Sequence, residues 1–200
     1  MVVAATMLSV TNTYAQQTQT KIGIKAGLSL TTLGSFSYST LAYDYNLRPG
    51  FQGGVFLETP ISKSVLFSPQ VLFTQRGGNV NTTSARGVIL KGSTQLNYID
   101  VPLLVGFKAF PNLTFYAGPQ ASFYVSEHYI LTIGRSTVTS TESTGTIKTN
   151  FGGNVGAGYK LTSSVGLNIN YMVDFNHAFE EDYDGGERNS GFAFTLGYTF

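Results

Sequence analysis

Apolar and polar residues alternate from Ser190 to the end of the chain. Phe192, Phe194, Leu196, Tyr198 and Phe200 take every second place, with Ala193, Thr195, Gly197 and Thr199 between them. Successive side chains of a strand point to opposite faces, so this segment has one large apolar face and one small polar face. Seven earlier segments repeat the pattern. Residues 21–30 set Ile22, Ile24, Ala26, Leu28 and Leu30 against Lys21, Gly23, Lys25, Gly27 and Ser29. Residues 51–58, 65–76, 95–108, 113–126, 149–160 and 165–175 follow suit. The segment 113–126 is the clearest, with Phe115, Ala117, Pro119, Ala121, Phe123 and Val125 opposite Thr114, Tyr116, Gly118, Gln120, Ser122 and Tyr124. The period predicts eight strands.

The connections alternate in length. Residues 31–48, 77–93, 127–147 and 176–189 are long and polar; residues 59–64, 109–112 and 161–164 are short. Eight strands of about ten residues, joined alternately by long loops and tight turns, predict an all-β fold: an eight-stranded antiparallel up-and-down transmembrane β-barrel. Its short turns would face the periplasm and its long loops the outside. A soluble barrel with the apolar face inward is the competing architecture. It would need a water-exposed face laced with Lys and Glu. Here the polar face is mostly Gly, Ser, Thr, Asn and Gln, which suits the narrow interior of eight strands. Phe51, Phe67, Phe73, Phe107, Phe151, Tyr159 and Phe175 fall near strand ends, where interfacial aromatic girdles belong. Pro69, Pro102 and Pro119 remove ladder donors inside strands, and the expectation is a bulge or local break at each.

Composition supports the membrane reading. Charged residues are 12% of the 200 positions, about half the soluble average of roughly 25%. A mean hydropathy of +0.05 is what averaging a greasy outside with a polar inside gives. Residues 21–200 hold no run of about 20 apolar residues, the length a membrane helix needs. The net charge of +1 without a Lys/Arg cluster gives no footprint for nucleic acid. Cysteine is absent, which excludes disulfides and thiolate chemistry. Residues 1–15 read as a secretory signal: an apolar run from Val2 to Val10, then Thr13-Tyr14-Ala15 as a cleavage site, with no basic residue ahead of the run. Residues 16–20 read as a linker and 21–200 as the barrel domain.

Charges on the inward face carry both signs: Lys21, Lys25, Glu58, Arg76, Asp100, Lys108, Lys160 and Asp174. Buried charges must pair, so Lys25, Glu58, Arg76, Asp100, Lys108, Lys160 and Asp174 are expected to form a lumen network rather than line an open pore. The histidines, His128 and His177, fall in loops, and no serine is singled out beside Asp174. Nothing there meets the geometric requirement for a base and nucleophile. The expectation is a non-enzymatic protein without a cofactor. In the acidic stretch 180–187, Asp182, Asp184 and Glu187 offer hard oxygens for Ca²⁺ or for bridging to lipopolysaccharide, but without the spacing of a calcium loop; a solvated acidic loop is the expectation. Gly152–Gly158 lies in a strand pattern with no helix after it, which excludes a phosphate-cradling loop.

The closing pattern of Phe194, Leu196, Tyr198 and Phe200 resembles the C-terminal signal read by the barrel assembly machinery. Four motifs carry a wider resemblance: Gly-Ile-Lys-Ala-Gly-Leu-Ser at 23–29, Asn-Tyr-Ile-Asp-Val-Pro-Leu-Leu at 97–104, Phe-Tyr-Ala-Gly-Pro-Gln at 115–120 and Gly-Ala-Gly-Tyr-Lys-Leu at 156–161. Together they resemble the PorT-like outer-membrane β-barrel family of Gram-negative bacteria. The resemblance implies a small barrel in the outer membrane, in contact with its lipid and lipopolysaccharide, and places prolines in strands as a family habit. It implies a structural or interaction role, with a link to envelope or protein-secretion complexes through the named member, and supplies no catalytic residues. A narrow porin-like channel is the alternative, and an enzyme at the barrel rim acting on lipid or peptide a second one.

Overall fold

The computed structural model describes residues 19–38, 41–83, 89–134, 136–141, 148–178 and 188–200, with the backbone alone at 35–38, 41–44, 82, 83, 89 and 90. The leader expected over 1–15 therefore lies outside the described residues, as do Asp182, Asp184 and Glu187. The described chain is all β: β1 (Lys21–Thr32), β2 (Ser35–Tyr38), β3 (Leu41–Asp44), β4 (Asn46–Pro60), β5 (Val65–Thr83), β6 (Ile89–Phe110), β7 (Leu113–Ile133), β8 (Ser136–Ser140), β9 (Thr149–Lys160), β10 (Val165–Asp174) and β11 (Ser190–Thr199). Eight of these close a ring in the order β1, β4, β5, β6, β7, β9, β10, β11 and back to β1, every neighbour antiparallel. The seam is continuous from Gly23 opposite Thr199 to Thr32 opposite Ser190. Closure leaves the ring no free edge, which is what lets a sheet sit in hydrocarbon.

The alternation decides which way each strand faces. In β1, Ile22, Ile24 and Leu28 are about half exposed on the outside, while Lys25 and Ser29 are buried within. Large apolar side chains cover the outside all round the ring, among them Val55 on β4, Leu103 on β6, Phe115 on β7, Val155 on β9, Ile169 on β10 and Phe194 on β11. A soluble monomer does not carry such a belt; hydrocarbon is its natural solvent. Of the aromatics expected near strand ends, Phe51, Phe107, Phe151, Tyr159 and Phe175 are exposed on this face, and Phe67 and Phe73 are half-buried.

Strands β5, β6 and β7 run further than the alternation predicts. They end at Thr83, begin at Ile89 and end at Ile133, and they stay paired, Thr83 with Ile89 and Leu90 with Ile133. The apolar period stops at the edge of the belt because beyond it both faces meet water, yet antiparallel hairpins continue without it. Likewise β2 pairs with β3 inside the first long loop, and β8 pairs with β7 beyond the ring. His128 thus lies on β7, opposite Gln95, and is not a loop residue.

Pro69, Pro102 and Pro119 give breaks without bulges. Pairing of β4 with β5 skips Leu57 and Glu58 opposite Pro69 and Ser68. Pairing of β5 with β6 skips Gln70 and Val71 opposite Pro102 and Val101, and that of β6 with β7 skips Leu103 and Leu104 opposite Pro119 and Gly118. The register is the same on both sides of each gap. A missing donor costs one local link, and the neighbouring links hold the register. Register shifts fall between Leu47 and Gln52, a stretch of β4 that contains Pro49, between Asn97 and Tyr98, and between Lys108 and Phe110.

Two of the short turns share one construction. In 61–64 the Ser62 hydroxyl accepts from the Val65 amide at 3.1 Å, and in 161–164 the Thr162 hydroxyl accepts from the Val165 amide at 2.9 Å. A hydroxyl standing in for a backbone acceptor is the reason Ser and Thr suit such turns.

Candidate functional site

Buried side chains fill the inside of the described ring, and this packed lumen is the candidate site. At this width side chains fill the interior, and large ones need small ones opposite. Phe56 and Tyr116 are the large ones near the short-turn end. A Cβ on Gly23 would stand 2.4 Å from the Phe56 ring, and one on Gly106 2.9 Å from the Tyr116 ring. A side chain at Gly23 would have to displace the Phe56 ring, and one at Gly106 would press on both Leu66 and Tyr116.

Nearer the long-loop end lies a buried ion triad. Arg76 on β5 donates to Asp100 on β6 at 2.6 Å and to both Asp174 oxygens on β10 at 2.9 and 3.0 Å. It also donates to the Ser122 hydroxyl at 3.0 Å, and its guanidinium carbon lies 5.1 Å from the centre of the Tyr98 ring. The Asn150 amide donates to Asp174 at 3.2 Å. All three charged residues are at most 1% exposed. A hydrogen-bond chain extends the triad round the wall. Asn170 on β10 donates to Asn154 on β9 at 2.9 Å, Asn154 to Gln120 on β7 at 2.9 Å, and Gln120 to Ser122 at 3.2 Å. Above this belt Leu33, Leu96, Tyr98 and Ala178 form an apolar cluster with Tyr45 and Tyr124 packed on it. The charged belt and its apolar cap together close the long-loop end.

The other half is built differently. Leu66, Leu104 and Tyr116 form a small apolar cluster. The Tyr116 hydroxyl donates to Glu58 at 2.8 Å. A cavity opens there, lined by Lys25, Glu58, Gln70, Tyr116 and Lys160 among others.

Of the seven charged residues expected in one network, the structure joins Arg76, Asp100 and Asp174. Glu58 is held by a tyrosine instead. Lys25, Lys108 and Lys160 make no ion pair with any described residue. The alternation identified inward charges but missed their main partners: Ser122, Asn150, Asn154, Asn170, Gln120, Tyr98 and Tyr116. Each stands at an inward position, so the signal was present; what was lacking was the register between strands. The closing residues Phe194, Leu196, Tyr198 and Phe200 lie on the outside of β11 and just past it, and the Tyr198 and Phe200 rings meet edge to face at 5.3 Å. His128 and His177 are exposed, and no group of three or more His, Cys, Asp or Glu that could hold a metal occurs among the described residues.

Comparison with known proteins agrees with this architecture. The family model described as outer membrane protein beta-barrel domain matches residues 14–180. No curated protein sequence gives a significant match. Among solved structures, neisserial surface protein A is similar over 90% of this chain and 97% of its own, at 15% identity and a TM-score of 0.50. Ail, the attachment invasion locus protein of Yersinia pestis, solved in complex with the heparin analogue sucrose octasulfate, is similar over 91% of this chain and 99% of its own, at 11% identity and a TM-score of 0.50. At such identities the likeness speaks for the fold alone. Since the family model covers most of the sequence and the closed eight-stranded ring supplies the fold, the chain belongs to the outer membrane protein beta-barrel domain family and resides in the bacterial outer membrane.

Proposed function

We propose that this barrel is an interaction protein, with the transmembrane ring as anchor and the extracellular hairpins as working parts. One observation carries the reading. The sheet does not end with the membrane: β5, β6, β7 and β8 continue beyond the ring as a ribbon, and its outermost strand, β8, stands last in the sheet order, with no further described strand paired along Ser136 to Thr139. Ser136 to Thr139 are exposed, and β8 carries neither a charge nor a proline on its edge. Such an edge presents backbone donors and acceptors to an extended segment of another protein, with Val138 as an apolar contact. The motif resemblance to PorT-like proteins favours an envelope or protein-secretion complex as the setting. Lipopolysaccharide surrounds the ribbon, and the barrel assembly machinery would act on the closing strand during insertion. The role we propose is non-enzymatic, since the sequence singles out no serine beside Asp174 and His177 and no nucleophile for His128.

The test is a photo-crosslinker in place of Val138, activated in intact outer membranes. Adducts with one envelope protein, lost when the crosslinker is moved to lipid-facing Val155, would support the proposal; adducts with lipid and lipopolysaccharide alone would end it. The channel reading is set aside because the Arg76 belt crosses the lumen. Stepwise conductance of the purified barrel in a planar bilayer would restore it.

A further inference from the structure

We infer that the periplasmic half of the lumen is a binding site for one small oxyanion, a phosphate or a carboxylate, held by Lys25 and Lys160. Lys21, Lys25, Lys108 and Lys160 share the lumen-facing register toward the short-turn end, against Glu58 alone. Glu58 already accepts from Tyr116. Asp100 and Glu58 are the charges that act on Lys25, yet neither is in ion-pair contact with it, and Asp100 is engaged by Arg76.

Lys25 is only 6% exposed and has neither an ion pair nor a hydrogen bond with any described residue. Its ammonium is not sealed off but reaches the cavity, and a cation held there, largely removed from bulk water, favours a counter-charge. It lines the cavity, as does Gln70, 7% exposed, whose amide oxygen has no partner. The other end of the Gln70 amide donates to the Ser68 hydroxyl at 3.3 Å. Lys160 closes the wall at the mouth, beside the 161–164 turn with its hydroxyls. The cavity volume is about 50 Å³. A water needs about 10–15 Å³ on that measure, so the space suits a group of three or four oxygens, not a nutrient-sized solute. The Arg76 belt blocks the path beyond, which makes this a site and not a passage.

The probe is inorganic phosphate, titrated into the whole barrel in maltoside micelles and followed by phosphorus NMR line broadening, with chloride at matched ionic strength as reference. Saturable broadening is expected, weakened about tenfold or more by Lys25→Met and by Lys160→Gln, the loss of one charge-assisted contact. Lys91→Gln, exposed on the extracellular part of β6, should bind as the parent does. Lys160 lies at the rim, so its variant reports even if Lys25→Met fails to insert. Broadening that does not saturate, or that is equal in parent and Lys160→Gln, would overturn the assignment. Adding phosphatidylglycerol then separates the sources. Competition with phosphate identifies a lipid headgroup as the occupant, and undiminished phosphate binding identifies a soluble anion.

Discussion

The two halves of the lumen are made from the same kinds of residue yet reach opposite electrostatic solutions. Toward the outside, one arginine is shared between two aspartates from different strands, and each of these three charges has a partner within 3.0 Å. Toward the periplasm, lysines outnumber their single glutamate, and that glutamate is satisfied by a tyrosine. The difference lies in reach. The Arg76 side chain reaches from β5 to Asp100 on β6, four residues off in register, and across to Asp174 on β10. Lys25 is wrapped by protein without meeting a carboxylate. Buried polarity is therefore not one property of this barrel: one half is a closed strut, the other a pocket with capacity for a ligand.

The contrast can be broken most severely at the strut. Arg76→Met leaves Asp100 and Asp174 buried without a counter-charge and should cost about 3–5 kcal/mol in urea unfolding from lipid vesicles. Adding Asp100→Asn and Asp174→Asn should return much of that loss; no recovery would mean that the triad is not the source. The outer face provides a scale for comparison. Val155→Arg, mid-strand and 52% exposed to lipid, should cost about 2–4 kcal/mol, whereas Val138→Arg on β8, beyond the ring, should be near neutral. If both cost the same, the assignment of the lipid belt to the ring alone is wrong. Tyr116→Phe deletes the hydroxyl that holds Glu58 and should cost about 1 kcal/mol, since the cavity lets water replace it. Lys25→Met is the smallest effect. Removing an unpaired buried ammonium should change stability by less than about 1 kcal/mol in phosphate-free buffer, and a loss as large as that of Arg76→Met would show that Lys25 is paired after all. On a different axis, Phe200→Ala should lower outer-membrane levels more than it lowers the stability of the refolded barrel; unchanged levels would remove Phe200 from the assembly signal.

Much of the fold was legible because a strand has a period of two and a barrel has two solvents. Ile22, Ile24 and Leu28 could face only lipid, and Gly23, Lys25 and Ser29 only the lumen. The long and short connections then set the orientation. Legibility stopped at the membrane edge. Past Arg76 on β5 and before Gln95 on β6 the apolar residues, Val80, Val88, Ile89 and Leu90, no longer alternate with polar ones, so the hairpin that continues there left no periodic trace. The prolines were legible as trouble but not as its form, since whether a missing donor produces a bulge or a gap depends on the strands alongside.

The sequence alone thus determined that this chain is an eight-stranded barrel with an apolar outside, and it supplied the inward charges one strand at a time. Alternation is a local property that each strand displays by itself. Pairing is not. That Arg76 meets Asp174, 98 positions away, while Lys25 meets no carboxylate, follows from the stagger of eight strands around a closed ring. No single segment encodes that stagger; closing the seam between β1 and β11 sets it for all the strands together.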